Sequence, residues 1–151
     1  MAAEYLPLSK LLSSQRDSKT PVATATGQAF SWLQFTQHIA ALSEQIRTRG
    51  AGRWLLHTEN SYAFAVGLFG LWHTDSIAVL PPNAGKQTLE ELSAGTQGVI
   101  SDHLTNPGGL LVLDPLEASA TKLPPCGVLE RDLFKLELYP SGSTGERKAI
   151  K

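Results

Sequence analysis

The stretch that decides the fold is residues 53–82, which read RWLLHTENSYAFAVGLFGLWHTDSIAVLPP. A short apolar run at residues 54–56 is followed by Asn60, a good helix cap, and then by a segment that is apolar on nearly every side. A second apolar run, residues 76–80, stops at a pair of prolines. We interpret the three parts as a buried strand, a buried helix and a second strand, a βαβ unit whose strands are parallel. The helix contains small residues that let other elements approach closely: Ala63, Ala65, Gly67 and Gly70.

Upstream of this unit, the sequence predicts a long amphipathic helix that begins after Ser31. Ser31 and Gln34 have the spacing of a capping box, and apolar residues then recur at steps of three and four. Gly50 is placed to end this helix in the left-handed conformation. Before the helix, residues 21–24 and 28–30 are typical of two short strands around a turn.

Downstream, Thr88 and Glu91 predict a second capping box, for a short helix that ends at Gly95. Residues 114–129 are mostly loop, because they include three prolines. Further strands are predicted at residues 97–101, 110–113 and 134–139. The alternation of strands and helices indicates an α/β fold with a largely parallel sheet and flanking helices.

Composition favours a single globular domain. The chain has 151 residues, of which 42% are hydrophobic and 18% are charged. A formal net charge of -1 gives no general attraction to nucleic acid, and the single cysteine, Cys126, excludes an internal disulfide. We find no signal peptide, and the longest apolar stretch is shorter than the roughly 20 residues that a membrane helix needs. The sequence therefore predicts a cytoplasmic protein with no membrane span and no nucleic-acid partner.

The chemistry is concentrated in residues 138–148, which read LYPSGSTGERK. A predicted strand runs into a loop whose glycines can adopt positive φ, so that successive backbone N–H groups can surround an anion. The loop hydroxyls add directed donors, and the lysine adds positive charge for the outer phosphates or for departing pyrophosphate. The residues that we assign to phosphate binding are Ser141, Gly142, Ser143, Thr144, Gly145 and Lys148.

Two common motifs do not fit this loop. A Walker loop requires Gly-Lys-Ser/Thr at its end, but Arg147 precedes Lys148. A hydrolase nucleophile elbow requires Gly-x-Ser-x-Gly, but Ser141 occupies the position of the first glycine.

The loop resembles the phosphate-binding signature of the adenylate-forming superfamily, which includes acyl-CoA synthetases, luciferases and the adenylation domains of peptide synthetases. That signature is aromatic-Thr-Ser-Gly-Ser-Thr-Gly-x-Pro-Lys, and here Pro140 stands where Thr is usual and Arg147 where Pro is usual. Weaker similarities occur upstream in the family's order, so the resemblance covers about residues 20–151. They are residues 27–32, residues 55–61 and residues 78–83.

This resemblance implies that residues 1–151 form a single incomplete domain, the first part of the large N-terminal domain of an AMP-binding enzyme, ending just after its phosphate-binding loop. Such enzymes join a carboxylic acid to AMP using ATP and Mg²⁺, and a thiol of coenzyme A or of a carrier protein then accepts the acyl group. The family's ribose-binding aspartate, hinge and C-terminal catalytic lysine are expected beyond Lys151. We therefore expect no catalytic residue and no metal ligand within the chain, and no ligase activity from it alone.

A different class of function competes with this interpretation. The chain can instead be a non-catalytic truncated remnant, or a protein-interaction module, with the same α/β scaffold. An incomplete sheet leaves unpaired strand edges and apolar faces, which favour self-association. The Gly/Ser-rich run would then be a flexible tail.

The other polar residues give no comparable signal. Asp102 and Asp114 end predicted strands, where ligand residues often lie in α/β folds, but the sequence does not distinguish them from ordinary loop acids. Cys126 has no basic neighbour that would lower its pKa, so it receives no catalytic role. The histidines lack ligand spacing and are interpreted as structural, with the first on the polar side of its helix: His38, His57, His73 and His103.

Overall fold

A computed structural model describes residues 5–25, 27–117 and 135–140. Strands and helices alternate along most of this part of the chain. The strands are β1 (Pro21–Ala25), β2 (Gln28–Ser31), β3 (Arg53–Leu56), β4 (Ile77–Leu80), β5 (Thr96–Ile100), β6 (Val112–Leu113) and β7 (Leu136–Leu138). The helices are α1 (Trp32–Arg49), α2 (Ser61–Trp72) and α3 (Lys86–Ser93), with short 3-10 turns at Leu8–Lys10 and Pro107–Gly109.

The predicted capping box starts α1. The Gln34 N–H donates to Ser31 Oγ at 3.3 Å, and the Ser31 N–H donates to Gln34 Oε1 at 2.9 Å. The helix ends at Gly50, whose φ of 110° is positive as predicted, but its ψ of 136° is extended rather than left-handed helical. The prediction of a left-handed cap is therefore wrong, because the chain leaves α1 directly in an extended path toward β3.

The βαβ unit predicted from residues 53–82 is confirmed. β3 and β4 are parallel, with Trp54 opposite Ala78. Between them, the Asn60 side-chain oxygen accepts the Tyr62 N–H at 2.8 Å, which satisfies a donor of the first turn of α2. The predicted hairpin is present too, since β1 and β2 pair antiparallel.

Five parallel strands form the main sheet, in the order β6-β5-β3-β4-β7. Helices α1 and α2 pack on one face, against a cluster that includes Trp54, Leu56 and Ile100. Helix α3 packs on the opposite face, where Leu55 and Val79 belong to a smaller cluster. The predicted α/β fold with a parallel sheet and flanking helices is therefore confirmed.

Helix α3 starts earlier than the sequence predicts. Gly85 is its N-cap and provides no side-chain hydrogen bond, so the predicted capping box of Thr88 is wrong. The chain enters the helix through a local turn, in which Asn83 Oδ1 accepts the Gly85 N–H at 2.8 Å. Thr88 then lies inside the helix and is buried, with 5% exposure.

The small residues of α2 allow the close packing that the sequence predicts. A Cβ on Gly67 would lie 2.6 Å from Leu56 Cδ1, and a Cβ on Gly70 would lie 2.9 Å from Leu42 Cδ2. In β5 the neighbour is a backbone atom: a Cβ on Gly98 would lie 2.7 Å from the backbone oxygen of Leu111. A backbone atom of a paired segment has less room to move than the end of a leucine side chain.

We predict that Gly98→Ala destabilises the fold by about 1–3 kcal/mol, because the added methyl group must displace the chain that enters β6. In an open strand position the same change would be neutral or favourable, since glycine is a poor strand residue. The exposed neighbour gives the matched control, Gln97→Ala, with an expected change within about 0.5 kcal/mol. Equal midpoints of urea unfolding for the two variants would contradict the packing assigned to Gly98.

Candidate functional site

The strand that leads to the predicted phosphate loop is β7, at one edge of the sheet. Its last residue is Leu138, and Tyr139 and Pro140 follow it. The assigned loop residues lie outside the described residues: Ser141, Gly142, Ser143, Thr144, Gly145 and Lys148. The structure therefore describes the support from which the loop leaves the sheet.

An ion pair between side chains of β3 and β7 holds β7 in place. Arg53, the first residue of β3, donates to Glu137 Oε2 from Nη2 at 2.7 Å and from Nε at 3.1 Å. The Glu137 side chain is 8% exposed and that of Arg53 29% exposed, so the pair is largely shielded from water. The hydrogen bond to Glu137 is the main cause that raises the pKa of Arg53, so the guanidinium stays charged.

The Arg53 guanidinium also contacts the residue that follows β7 and the residue that follows α3. Its Nη2 donates to the Tyr139 hydroxyl at 3.3 Å, and its Nη1 donates to the backbone oxygen of Ala94 at 3.3 Å. Arg53 thereby connects the first strand of the βαβ unit, the end of α3 and the residue next to Pro140. The sequence does not predict this role, because residues 134–139 alternate apolar and charged side chains, a pattern that indicates a strand and not the partner of Glu137.

Backbone contacts complete the attachment of β7. The Ala78 N–H donates to the Lys135 oxygen at 3.1 Å, and the Tyr139 N–H donates to the Leu80 oxygen at 3.3 Å. The Trp72 indole N–H, at the end of α2, also donates to the Lys135 oxygen, at 3.3 Å. The strand β7 is therefore attached to all three elements of the βαβ unit, to β3 through Arg53 and to α2 and β4 through these bonds.

At the carboxyl end of β5, Asp102 has a structural role. Its carboxylate accepts the N–H of Glu59 at 2.9 Å and the N–H of Asn60 at 3.0 Å, and it lies 3.0 Å from His103 Nδ1. Burial alone would raise the pKa of Asp102, but these hydrogen bonds outweigh it and hold the pKa below its usual value. The ionised carboxylate thus stabilises the position of Glu59 and Asn60, which lead into α2.

Two histidines lie side by side near this carboxylate. The ring centroids of His57 and His103 are 5.1 Å apart. His57 Nδ1 is buried and has no hydrogen-bond partner within the described ranges. Burial, with the charge of His103, lowers the pKa of His57 and favours a neutral imidazole.

The cleft at this end of the sheet is acidic. It has a volume of about 530 Å³, and Asp102, Asp114 and Glu117 are among the residues that line it. Residues 5–25, 27–117 and 135–140 contain no group of three His, Cys, Asp or Glu side chains arranged to hold a metal ion. Two strands, β3 and β4, separate β5 from β7, so these acids lie away from the end of β7.

The sequence predicts His38 on the polar side of α1, and this prediction is wrong. Its Nδ1 lies 2.8 Å from the Tyr62 hydroxyl, so it faces α2. Burial raises the pKa of Tyr62, which keeps its hydroxyl protonated, and burial lowers the pKa of His38 despite the charge of Asp114. The pattern of α1 does not decide the face of His38, because histidine is amphipathic and occurs both on polar faces and at helix interfaces.

No family model and no curated protein matches the sequence. Solved structures do match its fold. MatB from Rhodopseudomonas palustris has a TM-score of 0.68 and 17% identity, over 93% of this chain and 33% of that one. The Klebsiella oxytoca NpsA N-terminal subdomain in complex with 3-hydroxybenzoyl-AMSN has a TM-score of 0.58 and 21% identity, over 83% of this chain and 34% of that one.

A third match is o-succinylbenzoate CoA synthetase (MenE) from Bacillus subtilis, in complex with its acyl-adenylate intermediate. Its TM-score is 0.57 at 13% identity, over 83% of this chain and 36% of that one. The chain thus shares its fold with part of each of these structures and spans about a third of their length. No helix in the described parts of the chain has the length and apolar character needed to cross a membrane.

We predict that Glu137→Gln lowers the free energy of unfolding by about 1–3 kcal/mol, because Arg53 loses its charged partner in a shielded position. Hydrogen exchange at Leu136 and Tyr139 should accelerate most, since their strand loses its side-chain attachment. The matched control is Glu44→Gln, which removes an exposed pair 3.8 Å long with Arg47 and should cost less than about 1 kcal/mol. Similar losses from both variants would contradict the role of the Arg53–Glu137 pair.

We also predict that stability falls as the pH drops below about 6.5, the usual pKa of an unfolded histidine. Burial lowers the folded pKa of His38, His57 and His73, so the unfolded chain binds protons that the folded chain does not. Urea unfolding between pH 7.5 and 5 measures the effect. His38→Asn and His73→Asn should each flatten the dependence, whereas stability that rises on acidification would contradict it.

Proposed function

We propose that this chain is the N-terminal part of an ATP-dependent carboxylic acid–AMP ligase, similar to acyl-CoA synthetases, and that residues 141–148 bind the phosphates of ATP. The observation that carries the proposal is the position of β7. It is a parallel strand of a sheet shared with adenylate-forming enzymes, and the Ser-Gly-Ser-Thr-Gly run follows its carboxyl end after two intervening residues.

The position of β7 suits an anion for two physical reasons. In α/β folds, ligands bind beyond the carboxyl ends of parallel strands, where loops leave the sheet. The acidic cleft lies at the ends of β5 and β6, with two strands between it and β7, so repulsion of phosphate is reduced. The attachment through Arg53 keeps the start of the loop fixed, which lowers the cost of ordering the loop around a ligand.

In this proposal the backbone N–H groups of Gly142 to Gly145 and the hydroxyls of Ser143 and Thr144 bind phosphate oxygens. Lys148 balances charge on the outer phosphates as pyrophosphate leaves. Mg²⁺, when bound with ATP, supplies further charge neutralisation. The carboxylic acid and the accepting thiol, of coenzyme A or a carrier protein, belong to the activity of the longer protein.

We expect the 151-residue chain to bind ATP·Mg²⁺ without forming an acyl-adenylate. Lys148→Ala should weaken binding of ATP at least roughly tenfold, since a charge-assisted contact is lost. Lys151→Ala, which removes the same charge three residues later and outside the motif, is the matched control and should leave binding unchanged. Equilibrium dialysis measures the affinity, and release of pyrophosphate with a panel of carboxylic acids measures the reaction.

Two results would contradict this proposal in different ways. Equal effects of the two lysine variants would mean that binding reflects general charge and not the loop. No ATP binding together with concentration-dependent self-association would support the alternative, an interaction module that uses the exposed edges of the sheet.

A further inference from the structure

A pair of clefts meets at Arg16, on the side of the molecule formed by the N-terminal arm, the hairpin and helices α1 and α2. One cleft, of about 380 Å³, lies between β1 and α2, and the aromatic residues Trp32, Phe35, Tyr62 and Phe69 are in its wall. The other, of about 480 Å³, lies between the arm and the start of α1 and is lined by several hydroxyls. Arg16 and Trp32 line both clefts.

Arg16 lies in an arm that is well attached. The Trp32 N–H donates to the Thr20 oxygen at 2.7 Å, and the Leu33 N–H donates to the Ser18 oxygen at 3.0 Å. The guanidinium carbon of Arg16 lies 5.0 Å from the Trp32 ring centroid, so the charge stacks on an aromatic surface. The side chain is therefore held at the boundary between the two clefts although it is exposed.

Arg16 has no acidic partner within ion-pair distance in the described part of the chain. Within the described ranges, its side chain donates to Ser14 Oγ at 3.3 Å and forms no ion pair. Arg16 is also the only charged residue among those that line the two clefts in the described part of the chain. Asp17, the adjacent acid, accepts the Lys19 N–H at 2.8 Å.

We propose that these clefts bind a small organic carboxylate with an aromatic or short acyl body. The volume of each cleft falls in the range of small-molecule sites, roughly 300–1,000 Å³. The aromatic wall accepts the apolar body, and the two Nη groups of Arg16 form the planar fork that suits a carboxylate. Nothing in this site depends on nucleotide binding, so the proposal stands or falls separately from the ligase function.

The test is a titration of the full chain with octanoate, without nucleotide, followed by tryptophan fluorescence. We expect a saturable change that Trp32→Phe abolishes, since Trp54 and Trp72 do not line either cleft. Octan-1-ol, which has the same body without the charge, should bind at least roughly tenfold more weakly.

Arg16→Gln should weaken octanoate binding by a similar factor, with the affinity for octan-1-ol unchanged. Lys19→Gln removes the same charge from the same arm, outside the clefts, and is the matched control. The proposal is overturned by an absence of saturation, by equal affinity for octanoate and octan-1-ol, or by equal effects of the two variants. Unchanged circular dichroism and thermal unfolding show that each variant is folded.

Discussion

The guanidinium of Arg53 is the interaction on which the arrangement of this molecule depends. It lies at the start of β3 and contacts three other parts of the chain: Glu137 in β7, Tyr139 beyond it and the backbone at the end of α3. A buried carboxylate in an edge strand would be costly without such a partner. The pair therefore favours one position of β7 against β4, and it does so next to the residues that lead into the glycine-rich loop.

The distribution of charge along the sheet follows from the strand order. Acidic residues collect at the ends of β5 and β6, where Asp102 is occupied in holding Glu59 and Asn60. The strand β7 lies on the far side of β3 and β4 from β5, and the lysine and arginine of the loop follow β7 in the sequence. The two central strands separate β7 from β5. A phosphate ligand near the end of β7 is therefore compatible with the carboxylate of Asp102 near the end of β5.

Much of the fold follows from local sequence signals. The capping residues Ser31 and Asn60, and the apolar runs on either side of α2, predict their elements within one or two residues. The prediction for α3 was wrong because two local patterns compete there. Thr88 fits a capping box, but the turn at Asn83 starts the helix earlier. The partners of Arg53 and His38 were not predictable, since Glu137 is 84 residues away from Arg53 and Tyr62 is 24 residues away from His38. The phosphate-loop residues themselves remain a prediction from the sequence, because they lie outside the described residues.

The most direct test of the central claim is an NMR titration of the isotope-labelled chain with ATP·Mg²⁺. If β7 presents a phosphate-binding loop, the backbone amides of Gly142, Ser143, Thr144 and Gly145 shift saturably. The amide of Tyr139 should shift with them, whereas those of Asp102 and Asp114 in the acidic cleft should not. Shifts confined to the acidic cleft, or no saturable shift in the loop, would contradict the account.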